Sequence, residues 1–125
     1  MPDAKILVVE DDVFLTKVYQ DKFSREGFLT IVASDGAVAF NKAKKEKPDL
    51  IILDLLLPKK TGLDVLKELK EDKELKKIPV LILSNLGRGQ DIEKGKELGA
   101  DDYLVKADMT ISGIVGKVKK LLGKS

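Results

Sequence analysis

Four short apolar runs in this chain each stop at a residue able to do chemistry. KILVV at residues 5–9 stops at Glu10 and Asp11, and LIIL at 50–53 stops at Asp54. IPVLIL at 78–83 stops at Ser84, and YLV at 103–105 stops at Lys106. A carboxylate at the end of a buried segment costs free energy unless something there wants it charged. Acidic ligands that offer only oxygen suit a hard cation, and one or two carboxylates plus a substrate phosphate suit magnesium, Mg²⁺. Without a cation the acids would repel one another, and one would be driven toward protonation. With it, Asp54 can serve as a carboxylate nucleophile toward phosphorus. Mg²⁺ and Lys106 would then neutralise the phosphoryl oxygens while Ser84 donates one hydrogen bond.

Singly, each residue has an ordinary reading. Asp54 could be a cap or half of an ion pair, Lys106 a solvated lysine, and Ser84 a helix cap. Residues 10–12 could be the acidic first turn of a helix. Their joint meaning depends on the elements that would bring them together.

The central stretch, KPDLIILDLLLPKKTG at 47–62, opens at Pro48, which ends any preceding helix. Its unbroken run at 50–53 has the pattern of a strand covered on both faces. Before it, residues 5–9 read as a strand. A helix to about residue 26 follows, with Leu15, Val18, Tyr19 and Phe23 on one face, Asp12 as its cap and Gly27 as its stop. Residues 28–33 read as a second strand. Ser34 or Asp35 can cap a helix carrying Val38, Ala39, Phe40 and Ala43.

After residue 62 a helix carries Leu63, Leu66 and Leu69, and 70–77, charged apart from Leu75, reads as a solvated turn. A fourth strand at 78–83 leads to a loop made flexible by Gly87 and Gly89, then to a weaker helix over 91–98 with Gly99 past its end. A fifth strand at 103–105 precedes a helix from residue 110 with Ile111, Ile114, Val115, Val118, Leu121 and Leu122 on one face. Five strands alternating with five helices predict one α/β domain over residues 1–125, a parallel sheet with helices on both faces. In such a sheet the strand C-termini share one edge, and ligands bind where strand order reverses. Three carboxylates, a hydroxyl and an ammonium then converge.

Composition narrows the alternatives. A chain of 125 residues fits one domain. A net charge of +2, with lysines spread among acids, gives no argument for nucleic acid. There is no cysteine and no histidine, which excludes disulfides, the usual zinc ligand sets and Ser-His or Cys-His catalysis. No signal pattern or membrane-length apolar run is present, and a cytoplasmic location is expected.

ILVVEDD, KPDLIILDLLLPKKTG, IPVLILSN and LGADDYLVK, in that order, resemble the receiver domain of two-component response regulators over nearly the whole chain. The resemblance implies a flavodoxin-like (βα)5 doubly wound fold with strand order 2-1-3-4-5, the order of the family's chemotaxis member. It makes Asp54 the phosphoacceptor, Asp11 a direct Mg²⁺ ligand, Glu10 a ligand acting mainly through water, and the backbone carbonyl of Leu56 a further ligand. Ser84 corresponds to the switch hydroxyl, Lys106 to the family's lysine, and Tyr103 to an aromatic that reorients as the hydroxyl moves.

This sequence departs from the family pattern at several points. Ala107 stands where proline usually follows the lysine, so a trans bond is expected there. Lys59, Lys60 and Thr61 replace more usual small and acidic residues, and Asn85 is larger than the residue common after the hydroxyl. Leu56 and Leu86 are apolar where polar side chains often assist hydrolysis, which implies slow self-dephosphorylation.

The implied function is a phosphorylation-controlled switch rather than an enzyme acting on external substrates. A partner histidine kinase or histidine phosphotransfer protein supplies the phosphoryl group, and the face of the fourth helix, fifth strand and fifth helix responds, with residues 87–89 as hinge. Output passes to another protein or to an effector domain missing from this chain, without direct nucleic acid or membrane contact. The domain is a monomer or a phosphorylation-dependent dimer. Two rivals stand beside this: a non-phosphorylated pseudo-receiver acting as an interaction module, and a Mg²⁺-dependent aspartyl phosphatase. The second is disfavoured because Leu56 occupies the place of that class's second acid.

Overall fold

Strands covered on both faces must be apolar on both, and β3 (Leu50–Leu53) is buried at all four positions. The computed structural model describes residues 4–85 and 89–123. In it β3 is the middle strand of a five-stranded sheet ordered β2-β1-β3-β4-β5, the order the family resemblance implied. The other strands are β1 (Lys5–Val9), β2 (Leu29–Ala33), β4 (Val80–Ser84) and β5 (Asp102–Val105), and every pairing is parallel. The helices are α1 (Val13–Arg25), α2 (Gly36–Glu46), α3 (Gly62–Glu71), α4 (Gly89–Glu97) and α5 (Ile111–Leu121). No helix among the described residues is long and apolar enough to cross a membrane.

The period of two along each strand sorts the core into two layers. Ile6, Val8, Leu50, Ile52, Leu81 and Leu83 face Tyr19 and Phe23 of α1 and Ile114, Val115 and Val118 of α5. Leu7, Val9, Ile51, Leu53, Val80 and Ile82 face Ala39 and Ala43 of α2 and Val65, Leu66 and Leu69 of α3. Caps fix where helices begin. Asp12 accepts from Leu15 N–H at 3.1 Å, Asp35 from Ala37 and Val38, Thr61 from Asp64, and Thr110 from Gly113. Of the two residues offered as cap for α2, Asp35 is the one used.

Several expectations need correction. Val18 and Val38, assigned to buried faces, are 37% and 43% exposed, while Thr16 is buried in the stripe of α1. Residues 70–77 are solvated along most of their length, as expected, but a 3-10 turn at Leu75–Lys77 packs Leu75 into the core. The Lys70 ammonium donates to the carbonyls of Lys76 and Ile78, and Lys44 pairs with Asp72 and Glu74. Gly89 opens α4 rather than lying in a loop, and β4 runs from Val80 through Ser84 rather than over 78–83. Gly87 of the expected hinge, and Leu86, lie outside the described residues.

Candidate functional site

Register brings the acids together. Val9 pairs with Leu53, and the Asp54 N–H donates to the Val9 carbonyl at 3.1 Å, so Glu10 and Asp54 leave adjacent strands side by side. Both residues are buried, at 3% and 6% exposure, whereas Asp11 is exposed. Ser84, fully buried, comes from β4 on the other side of β3. Lys106 follows β5 and opens a 3-10 turn, Lys106–Asp108, with no cis peptide bond among the described residues.

Asp54 is held on both oxygens. Oδ1 accepts from Ser84 Oγ at 2.8 Å and from Leu56 N–H at 3.0 Å, and Oδ2 accepts from Lys106 Nζ at 2.7 Å. Lys106 Nζ also donates to Glu10 Oε1, and the second Glu10 oxygen accepts from Asp12 N–H at 3.2 Å. Burial pushes the Glu10 carboxyl above its ordinary 4.5, against the hydrogen bonds from Lys106 and Asp12 that favour its charge. For Lys106, burial pulls downward, but the bonds to Asp54 and Glu10 outweigh it and hold the ammonium above 10.5.

Carboxylate oxygens of Glu10, Asp11 and Asp54 lie within 4.8 Å of one another, the one such group of acids among the described residues. They form an oxygen-only set, two members held by other partners and one open to solvent, and its chemistry fits a hard cation such as Mg²⁺. Leu56, whose carbonyl was expected as a further ligand, meets the site through its N–H.

The loop after Asp54 is set by close backbone approaches. A Cβ on Gly62 would lie 2.2 Å from the Asp54 carbonyl oxygen, and one on Gly36 would lie 2.0 Å from that of Lys60. Gly36 N–H donates to Pro58, and Lys59 and Lys60 pair with Asp35 and Glu68. The two lysines thus extend ion pairs from the loop to the cap of α2 and to α3. Tyr103 is buried beside Ile82 and against Gly95 of α4, and Ser84 donates to Asp54. Sequence reasoning registered only the size of Asn85. Its Oδ1 accepts from the Ala107 N–H at 3.1 Å, and the one available signal was that alanine, unlike proline, keeps an N–H to donate.

Comparison with known proteins gives concordant results. Residues 6–116 match the family model described as "Response regulator receiver domain". The chain is 41% identical over 121 residues to the alkaline phosphatase synthesis transcriptional regulatory protein PhoP of Bacillus subtilis, covering 97% of this chain and 49% of that one. It is 39% identical to the transcriptional regulatory protein CpxR of Escherichia coli, covering 97% and 50%. The chain spans about half the length of these curated relatives. Among solved structures, the Francisella response regulator 1452 receiver domain superposes with a TM-score of 0.89 at 31% identity, covering 97% of this chain and 98% of that one. The BeF3-activated N-terminal receiver domain of Klebsiella pneumoniae RstA gives 0.87 at 26%, covering 94% and 97%.

Proposed function

The chain belongs to the response regulator receiver domain family of two-component systems, and from that premise we propose that Asp54 is its phosphoacceptor. The observation that carries this reading is the hold on the Asp54 carboxylate by Ser84, Leu56 N–H and Lys106, beside Glu10 and Asp11. A carboxylate oxygen of Asp54 attacks the phosphorus of a phosphohistidine on a partner kinase or phosphotransfer protein. The P–O bond forms as the P–N bond breaks, and the leaving imidazole takes up a proton. Lys106 holds negative charge at Oδ2 and then at the phosphoryl oxygens, and the Ser84 hydroxyl moves its hydrogen bond to one of those oxygens. Glu10, Asp11, Asp54 and the Leu56 carbonyl would hold Mg²⁺, which when bound supplies neutralisation of the transferring group's charge.

The response is a repacking of Tyr103 and of the face made by α4, β5 and α5, a two-state element biased by local charge. The relatives' names, as transcriptional regulators about twice this length, support output through an effector domain or separate protein. A monomer or a phosphorylation-dependent dimer, in a cytoplasmic setting, completes the reading. With leucine at position 56, side-chain help for an attacking water is lacking there, and self-dephosphorylation is slow. Incubation with acetyl phosphate and Mg²⁺, followed by intact-mass measurement, tests the proposal. A single phosphoryl adduct on the wild type that is absent from Asp54→Ala is expected; no adduct, or the same adduct on the variant, overturns it.

A second reading, a pseudo-receiver acting as an interaction module, has one observation on its side: Lys106 already satisfies both buried carboxylates. A Mg²⁺ titration of stability separates the two, because only a domain that binds the ion is stabilised by it.

A further inference from the structure

Asn85 follows the last residue of β4, and its bond to Ala107 joins positions 22 residues apart. It lies just past the final β4–β5 rung, Ser84 with Val105. Ala107 is the second residue of the 3-10 turn Lys106–Asp108, whose N-cap, Val105, supplies no side-chain bond. The opening N–H groups of a helical turn have no partner inside it. Asn85 therefore does from the next strand what a capping asparagine does locally.

The backbone so fixed belongs to the immediate neighbour of Lys106, whose ammonium bridges Asp54 and Glu10. A lysine loses rotamer freedom when held in one place, so movement of its backbone would compound the cost of keeping the ammonium there. A side-chain acceptor on β4, next to Ser84, ties the Lys106 backbone to the strand that carries the other Asp54 partner.

We propose that Asn85 is a positioning residue for Lys106, acting through the Ala107 N–H to hold the ammonium within reach of Asp54 and Glu10. Its consequence for phosphoryl transfer rests on the phosphoacceptor reading of Asp54; its consequence for Lys106 does not. The test uses Asn85→Leu, which keeps the branching at Cγ and removes the acceptor, and Asn85→Asp, which keeps an acceptor oxygen. Two readouts are needed: nitrogen-15 NMR of the Lys106 ammonium together with exchange of the Ala107 amide hydrogen, and the rate of labelling by acetyl phosphate with Mg²⁺.

Asn85→Leu should speed Ala107 exchange, lose the protected Lys106 ammonium signal and slow labelling about threefold to tenfold, the range one neutral hydrogen bond supplies. Asn85→Asp should retain all three properties. In a Lys106→Met background, Asn85→Leu should have no further effect on labelling, since coupled residues are not additive. An Asn85→Leu protein with an unchanged Lys106 signal overturns the proposal, as does a rate loss undiminished in the Lys106→Met background. If the wild type takes up no phosphoryl group while Asn85→Leu still releases the ammonium, the phosphoacceptor reading fails and the positioning role stands.

Discussion

Lys106 reaches Asp54 across the width of β4: its Nζ lies 2.7 Å from Oδ2 although the two residues leave strands that do not pair. The same ammonium continues to Glu10 at the end of β1, so one cation ties together the C-terminal ends of β1, β3 and β5. Its side chain is only 14% exposed, which places the triad in a weakly screened setting.

Removing that ammonium leaves two buried carboxylates facing each other. Lys106→Met is expected to destabilise the domain by roughly 2–4 kcal/mol at neutral pH, somewhat less than loss of a fully buried pair because one carboxyl can take up a proton. Urea unfolding without divalent ions measures this, and added Mg²⁺ should recover part of the loss. A change under about 0.5 kcal/mol would show that the triad is solvated.

Glycine substitutions should differ in sign according to what a Cβ meets. Gly62→Ala and Gly36→Ala force a methyl into backbone oxygens at 2.2 and 2.0 Å, and each should cost about 3 kcal/mol or more. Gly116, in α5, has nothing within 4 Å of its Cβ position, so Gly116→Ala should stabilise by roughly 0.5–1 kcal/mol. Thermal melts of the three variants check both signs.

On the proposed reading, Mg²⁺ and pH act on the same acids. Because the folded-state Glu10 pKa is raised, the folded protein holds that proton more tightly than the unfolded chain does. Without divalent ions, the Glu10 contribution to stability is therefore greatest below 4.5 and falls as pH rises through the raised value. Bound Mg²⁺ requires the ionised form. Stabilisation by Mg²⁺, about 2.7 kcal/mol at a hundredfold excess over its Kd, should shrink as pH falls, beginning above 4.5. Melting curves with and without Mg²⁺ over a pH series read this out, and Glu10→Gln should flatten the dependence.

Lys106 sets the opposite limb. Its folded pKa is raised, so the stability it contributes is fully present below 10.5 and disappears as pH climbs through the higher folded value. The alkaline limb of a stability profile should lose this feature in Lys106→Met.

Ser84→Ala removes a donor to Asp54 from a fully buried position, at a cost of about 1 kcal/mol. Labelling of Asp54 should persist, while phosphorylation-dependent amide shifts in α4, β5 and α5 should be lost. Shifts in the variant equal to those of the wild type would remove Ser84 from the switch.

The chain by itself determined the sheet and the company its strand ends keep. Runs such as LIIL at 50–53 can be stable only between two layers of helices, and a parallel order then sends Glu10, Asp54, Ser84 and Lys106 to one edge. Periodicity erred where it treated a helix face as uniform: Val18 and Val38 lie at stripe margins, where the neighbouring layer does not reach. What required the tertiary structure was every contact between residues far apart in sequence. The spacing of 52 residues between Asp54 and Lys106 carries no information about their 2.7 Å separation. The Asn85 bond to Ala107 and the fit of Gly36 against Lys60 depend likewise on strand register and loop path. Local sequence encodes periodicity, caps and turns, but distances of tenths of an ångström across strands arise only once all the layers have packed.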